Sequence, residues 1–289
     1  MNSPCNRTSI LDGKHLAKQI RTQLKNRIKQ GVAEGLPTPG LATVLVGEDP
    51  ASSVYIRNKI RSCKEVGVES FHEPLEESAG QEMLLETIKR LNQDPKVHGI
   101  LVQLPLPRAG YSEVEVLESI LPQKDVDGFH PLNQGALFQG EPRFVPCTPK
   151  GILRLIEETQ VDIAGKKAVI LGRSNIVGKP VAQLLLGRNA TVVMCHSRTQ
   201  RLEEEVRSAD IVVAAVGVPE LVRGSWISEG AIVIDVGINR QDDGTLVGDV
   251  AYEGAASKAS WITPVPGGVG PMTIAMLLEN TVEAAWGVS

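Results

Sequence analysis

Tyr55 and Lys59 stand four residues apart in the segment YIRNK, a spacing that places a phenol and an amine on one face of a helix. Gln103 closes the apolar run GILVQ, and Asp125 and Asp127 sit in the turn-rich segment KDVDGF. An amine, an amide and a carboxylate carried by three separated segments could converge on one cleft. They suit proton transfer and ligand anchoring. Each has a plainer reading. The Tyr/Lys pair could be surface packing, Gln103 could satisfy backbone at a strand end, and the aspartates could cap their own turn. The five histidines show no HxxH or HExxH pairing, so no metal site is expected, and His130 and His196 read as structural. No GxSxG or Cys/His arrangement stands out either.

A second constellation begins at Gly172-Arg173-Ser174-Asn175-Ile176-Val177-Gly178. It follows the apolar run KAVIL and opens a helix at about Lys179. A dinucleotide fold puts its pyrophosphate at such a place, on backbone N–H groups and the positive end of a helix. The spacing departs from GxGxxG: Ser174 replaces the middle glycine and the last glycine arrives one residue late. The next apolar run ends Cys195-His196-Ser197-Arg198-Thr199, without the acid that would hold a free ribose 2′-OH. Ser197, Arg198 and Arg173 could instead meet a 2′-phosphate, which favours NADP over NAD. The alternative is that both arginines are solvated loop charges. Val216-Gly217 and Asp235-Val236-Gly237-Ile238 end two further runs, where such sheets bind ligands. Ile238 could touch the nicotinamide end or simply pack.

The elements that must position these groups alternate strand and helix, which points to α/β architecture with mostly parallel sheets. Leu41–Gly47 reads as a buried strand, Asp49–Ser52 as a turn and cap, and a helix follows to about Val66, where Gly67 stops it. Gly80–Asn92 reads as a helix, Gly99–Gln103 as a strand and Glu113–Leu121 as a helix. Pro122–Pro149 is rich in turn formers and reads as a boundary. Lys167–Leu171, Thr191–Cys195, Asp210–Val216 and Ala231–Val236 read as buried parallel strands, with Ser260–Thr263 as a short extra one. After Pro264–Pro271 a helix of about fifteen residues is predicted to pack back on the first domain.

The chain has 289 residues, 42% hydrophobic and 22% charged, enough for two moderate domains. A net charge of -4 gives no footprint for nucleic acid or anionic membranes, and no apolar run is long enough to span a bilayer. Cys5, Cys63, Cys147 and Cys195 are scattered without a CxxC pair, which fits reduced thiols in the cytoplasm. The first ten residues carry no secretion signal.

With these pieces in view, the chain resembles the bifunctional methylenetetrahydrofolate dehydrogenase/methenyltetrahydrofolate cyclohydrolases, most closely the bacterial type. The resemblance rests on LDGKHLA, TVLVGEDPAS, YIRNK, GILVQLPLP, KDVDGFHPLN, PCTPKG, GRSNIVGKP, VIDVGINR and TPVPGGVGPMT, in order from residue 11 to residue 273. It implies an N-terminal α/β catalytic domain of residues 1–148 plus 271–289. A Rossmann-type NADP-binding domain of residues 149–270 completes the two-domain α/β fold, with a cleft between them. It makes Lys59 the general acid/base. An ammonium cannot accept a proton at neutral pH, so Lys59 must act first as an acid or have a lowered pKa. It makes Gln103 the residue that orients Lys59, Tyr55 the one that stacks on or positions the folate, and Asp127 the pterin anchor. Val102, Leu104, Pro266, Gly267, Gly268 and Pro271 join these as substrate contacts. Gly172, Arg173, Ser174, Val177, Ser197, Arg198, Gly217 and Ile238 correspond to NADP contacts. The implied reaction oxidises 5,10-methylenetetrahydrofolate and hydrolyses the methenyl product to 10-formyltetrahydrofolate, in one-carbon metabolism, by a homodimer and without a metal. The rival readings are a dehydrogenase lacking the cyclohydrolase, a non-catalytic NADP sensor, and a shikimate- or amino-acid-type dehydrogenase, which would share the dinucleotide half but not the folate-side motifs. Trp261 stands where many relatives carry tyrosine, and the added phosphate- and magnesium-binding features of NAD-preferring mitochondrial relatives are not found.

Overall fold

The structure, a computed structural model, describes residues 8–47, 50–107 and 110–287. In chain order its elements begin with β1 (Ser9–Ile10), α1 (Gly13–Ala33), β2 (Gly40–Val46), α2 (Pro50–Val66), β3 (Glu69–Leu75), α3 (Gly80–Gln93) and β4 (Gly99–Val102). There follow α4 (Glu113–Ser119), α5 (Pro131–Gln139), α6 (Cys147–Glu158), β5 (Lys167–Leu171), α7 (Gly178–Gly187), β6 (Thr191–Cys195) and α8 (Leu202–Arg207). The chain closes with β7 (Ile211–Ala214), β8 (Ile232–Asp235), β9 (Asn239–Arg240), β10 (Leu246–Val247), α9 (Tyr252–Ala256), β11 (Trp261–Ile262) and α10 (Val269–Trp286).

Two compact units result. One holds Lys18–Cys147 and the described residues from Ile274 onward; the other holds residues 8–17 and Thr148–Thr273. In the first, β2 is the middle strand of a parallel sheet ordered β3-β2-β4. Every residue of β2 is buried, as a strand covered on both faces must be, and its LATVLV run supplies the aliphatic surface. Leu84, Ile88 and Leu91 of α3 and Val116 of α4 pack with Ala42, Val44, Ile100 and Val102 into one core. Each large aliphatic buried there contributes roughly 1.5–3 kcal/mol.

The second unit carries a six-stranded sheet ordered β1-β11-β8-β7-β5-β6, parallel at every pairing. The chain passes from β5 outward to β6, then returns to the other side of β5 for β7. That reversal is the topological switch point at which open α/β sheets bind ligands, beyond the carboxyl ends of the strands.

Several features differ from the sequence reading, which also placed no helix at α1. Residues 8–17 group with the second unit, because β1 adds to β11 through Ser9 N–H to Ser260 O (2.8 Å) and Leu11 N–H to Ile262 O (2.9 Å). The turn-rich stretch read as a boundary contains α5 and the start of α6. His130 starts α5: its Nδ1 accepts from Leu132 N–H at 3.0 Å, Pro131 takes the first turn, and Gly140 ends the helix at φ +86°. Its exposed Leu132 and Phe138 hide the helical period from a pattern search. Finally, β3 escaped notice because ESFHEPL mixes charge and proline, as an edge strand tolerates. The turn read at Asp49–Ser52 lies partly outside the described residues, as does Cys5. The terminal helix begins two residues before Pro271 and runs for 18 residues.

Candidate active site

Helix α2 delivers Lys59 to the carboxyl end of β4. The Lys59 side chain is buried, and its ammonium donates to Gln103 Oε1 at 2.9 Å. Gln103 is held in turn from two directions. Its backbone N–H donates to Val44 O at 2.9 Å, and its Nε2 donates to Leu104 O at 2.7 Å. The second bond decides which end of the amide faces the amine, so an acceptor rather than a donor is aimed at Lys59. Burial pulls the Lys59 pKa below its ordinary value; the charge of Asp127 pulls back first, then Cys147 and Cys63. One turn earlier Tyr55 is exposed, its ring open to a ligand. Cys63, one turn later, is fully buried and its thiol is pushed up to about 12 by that burial, so it remains protonated.

Asp127 is partly buried on the loop after β4 and α4. Burial raises its carboxyl to about 6; Lys59 pulls it down, Asp125 pushes it up, and a hydrogen bond from Cys147 lowers it. The backbone that carries it is fixed by a residue the sequence reading did not single out. Asn280 on α10, wholly buried, donates to Val126 O at 2.8 Å and Val145 O at 3.0 Å. The signal was available in retrospect: an asparagine one turn after Met276 and Leu277 in a largely apolar helix. Cys147 Sγ donates to the same Val126 carbonyl at 3.3 Å. Asp125, by contrast, is fully engaged in structure. Its carboxylate accepts from Phe129 N–H (3.2 Å), His130 N–H (2.8 Å) and Asn133 Nδ2 (2.7 Å). The turn-capping reading, which applied to both aspartates, thus holds for Asp125.

Among the substrate candidates, Lys59, Gln103 and Asp127 come together. Val102 turns its side chain into the core, which leaves only its backbone for a ligand, and Leu104 packs at the core's edge. Pro266, Gly267, Gly268 and Pro271 belong to the other unit. There Gly267 O accepts from Lys14 N–H at 2.9 Å and Gly268 N–H donates to Pro264 O at 2.8 Å, which fixes the loop against the start of α1.

The cofactor candidates surround the carboxyl ends of β5 to β8. Gly172 leaves β5 at φ +115°, and a Cβ there would lie 2.2 Å from Ala215 O. A Cβ at Gly178 would lie 2.3 Å from Gly172 O, so the turn closes only with glycine at both ends. Just ahead of α7, Ser174 Oγ accepts from Val177 N–H (3.2 Å) and Gly178 N–H (3.3 Å), which leaves its hydroxyl proton to donate. Arg173, Ser197 and Arg198 are exposed, and His196 Nδ1 accepts from Arg198 N–H at 3.1 Å, shaping the turn after β6. Gly217 follows β7 and the half-exposed Ile238 follows β8. A glycine cradle, a helix N-terminus and two exposed arginines fit a phosphorylated dinucleotide. Among the described residues, no group of three or more His, Cys, Asp or Glu could hold a metal.

Two family descriptions match this chain: the tetrahydrofolate dehydrogenase/cyclohydrolase catalytic domain over residues 11–127, and the NAD(P)-binding domain of the same enzymes over residues 146–287. The chain belongs to the tetrahydrofolate dehydrogenase/cyclohydrolase family. It is 60% identical to the bifunctional protein FolD of Moorella thermoacetica over 276 residues, which is 96% of this chain and 98% of the relative. A crystal structure of the bifunctional FolD enzyme from Campylobacter jejuni matches with a TM-score of 0.94 at 49% identity, covering 96% of this chain and 98% of that one. The Trypanosoma brucei FolD structure, complexed with NADP cofactor and an inhibitor, matches with a TM-score of 0.91 at 40% identity, covering 96% and 97%. The two-domain α/β fold expected of the family is therefore present, with its dinucleotide sheet in the second unit.

Proposed function

We infer that this chain is a bifunctional enzyme of folate one-carbon metabolism. It oxidises 5,10-methylenetetrahydrofolate with NADP and hydrolyses the resulting 5,10-methenyltetrahydrofolate to 10-formyltetrahydrofolate. The observation that carries the reading is the buried Lys59 amine, held by Gln103 and drawn on by Asp127, in a chain 60% identical to a bifunctional relative. Bound NADP supplies the hydride acceptor. The chain's residues do the rest. Lys59, with its pKa lowered, exchanges a proton with the folate N10 or with the attacking water. Gln103 keeps the amine in one orientation. Asp127, when ionised, accepts two parallel N–H bonds from a pterin edge. Tyr55 offers an exposed ring for stacking. Arg173, Ser197 and Arg198 read the 2′-phosphate, while the Gly172–Gly178 turn and the α7 N-terminus receive the pyrophosphate.

Retention of both Lys59 and Gln103 favours the two-activity reading over a dehydrogenase alone. The test is a spectrophotometric assay with methylenetetrahydrofolate and either NADP or NAD, following reduced nucleotide and methenyl absorbance together. Reduced nucleotide with NADP and subsequent decay of the methenyl signal are expected. Accumulation of a methenyl product that decays no faster than in buffer would reduce the enzyme to a dehydrogenase. We also propose a homodimer, as in the family; sedimentation as a monomer at working concentration would contradict it. No described helix is long and apolar enough to cross a membrane.

A further inference from the structure

Two buried carboxylates in the second unit take no part in the chemistry above. Asp249 is wholly inaccessible and Asp235 is 4% exposed. Neither forms an ion pair among the described residues. Their charge is met instead by six N–H donors. Asp249 Oδ2 accepts from Val216 N–H (2.7 Å) and Gly217 N–H (2.9 Å), in the loop after β7, and its Oδ1 accepts from Asn239 Nδ2 (2.9 Å), just beyond β8. Asp235, the last residue of β8, accepts from Gly237 N–H and from Asp249 N–H on Oδ1 and from Val250 N–H on Oδ2, each at 2.9 Å. The backbone of Asp235 is pinned as well, its N–H donating to the buried Thr263 Oγ1 at 2.7 Å.

The surroundings are shaped for these oxygens. A Cβ at Gly248 would lie 1.8 Å from Asp235 Oδ2, and a Cβ at Gly237 would lie 2.3 Å from Asp249 Oδ1. Burying a carboxylate away from cations is costly unless hydrogen bonds replace its water. An amide could not fill the place, since it accepts on one atom only, whereas Asp249 must accept from both loops at once. Burial pushes the Asp235 carboxyl up to about 6, the backbone N–H groups of Asp249, Val250 and Gly237 draw it back, and the charge of Asp249 adds to the rise.

The loops joined this way carry Gly217 and Ile238. If Ser197 and Arg198 beyond β6 hold the 2′-phosphate, the nicotinamide lies at the opposite end of the crevice, over β7 and β8. We propose that Asp249, seated on Asp235, is a positioning residue for the nicotinamide half of the cofactor, tying the β7 and β8 loops into one fixed wall. The proposal rests on the NADP-dependent reading above. Asp249 acts through Gly217, Asn239 and Ile238 and touches no reacting atom.

The test is Asp249→Asn. Its single oxygen can serve Val216 and Gly217, but its amide then faces the Asn239 Nδ2 donor, so the Asn239 amide must turn over and the charge that held the two loops is lost. NADP Kd, measured by titration calorimetry, is expected to rise about tenfold or more, the loss of one charge-assisted bond. Dehydrogenase turnover should fall with it. Hydrolysis of methenyltetrahydrofolate without cofactor, which depends on Lys59, should hold within about twofold. The double variant Asp249→Asn with Asn239→Asp restores donor to acceptor and should bring Kd back to within about threefold of the parent. If Asp249→Asn does not fold, Asn239→Ala, which strips one bond from Oδ1, should still raise Kd by about threefold. An unchanged Kd in the folded variant would overturn the proposal, as would loss of both activities in step without rescue by the double variant. A parent that binds no NADP would sink the underlying reading as well; a parent that binds NADP beside a variant that binds it equally would sink this proposal alone.

Discussion

Lys59→Met removes one ammonium and keeps nearly all of the side chain's hydrocarbon. Its effect on stability can be worked from the site. The lost bond to Gln103 Oε1, 2.9 Å in the parent, leaves a polar atom short of a partner, at a cost of about 1–3 kcal/mol. Against this, the parent buries an amine that is only 9% exposed, and burial opposes its charge. Removing that penalty offsets a similar amount. The net change should stay within about 2 kcal/mol, a shift of no more than about 4 °C in Tm for a chain of this size. The sign also depends on pH. A lysine whose pKa is lowered by folding binds fewer protons folded than unfolded, so its penalty is full at low pH and fades as pH rises toward the ordinary lysine range. The variant should therefore compare best with the parent in mild acid. Activity should behave quite differently. A positioned general acid/base is worth about 10²–10⁴-fold, and hydrolysis of methenyltetrahydrofolate should fall by that factor. Methenyl absorbance corrected for the spontaneous reaction reads the rate, differential scanning fluorimetry reads Tm, and calorimetry reads NADP binding, which should be unchanged. Hydrolysis at the parental rate would refute the role of Lys59. A drop in Tm far beyond the few degrees allowed would refute the energetic reasoning.

Asp127→Ala should raise the folate KM at least tenfold, given about 1.5–3 kcal/mol for hydrogen bonds to a charged group. Because burial raises the Asp127 carboxyl to about 6, the parent should lose folate affinity as pH falls through that value. A KM that is flat from neutral pH down to below that value would remove the carboxylate from the pterin. Replacing Arg173 and Ser197 together with alanine should narrow the preference for NADP over NAD; equal preference before and after would place the 2′-phosphate elsewhere. Gly248→Ala forces a methyl group to within 1.8 Å of Asp235 Oδ2 and should destabilise the second unit by more than about 3 kcal/mol, read by urea titration. A variant as stable as the parent would show that the carboxylates move freely.

The strands of the dinucleotide sheet were legible because they are continuous apolar runs. KAVIL and TVVMC begin and end in the structure where the sequence places them. The Tyr55/Lys59 spacing and the end of GILVQ were equally plain, since helix and strand periods decide which side chains share a face. Less visible was everything set by long-range pairing. The two residues of β1 carry no strand signal and exist only because β11 lies beside them. Helix α5 follows from a cap and a proline rather than a hydrophobic stripe. The duties of Asp125 and Asp127 look alike in KDVDGF, and only the N–H groups gathered around Asp125 separate them. Asn280 and the Asp235/Asp249 pair escaped notice for the same reason: a buried polar residue declares its role through its partners, which lie far away in sequence.

Asn280 brings a consequence for biosynthesis. The carbonyls of Val126 and Val145 both receive the Asn280 amide from α10, which the ribosome makes only after the whole dinucleotide sheet. Domains usually fold in the order they leave the exit tunnel. Here the unit translated first keeps its final hydrogen bonds open until the one translated second has been synthesised. A nascent chain stalled before α10 would hold a finished β2 and β4 beside an unsecured Asp127. Chaperone occupancy, followed codon by codon, should persist across the second unit and end with that helix.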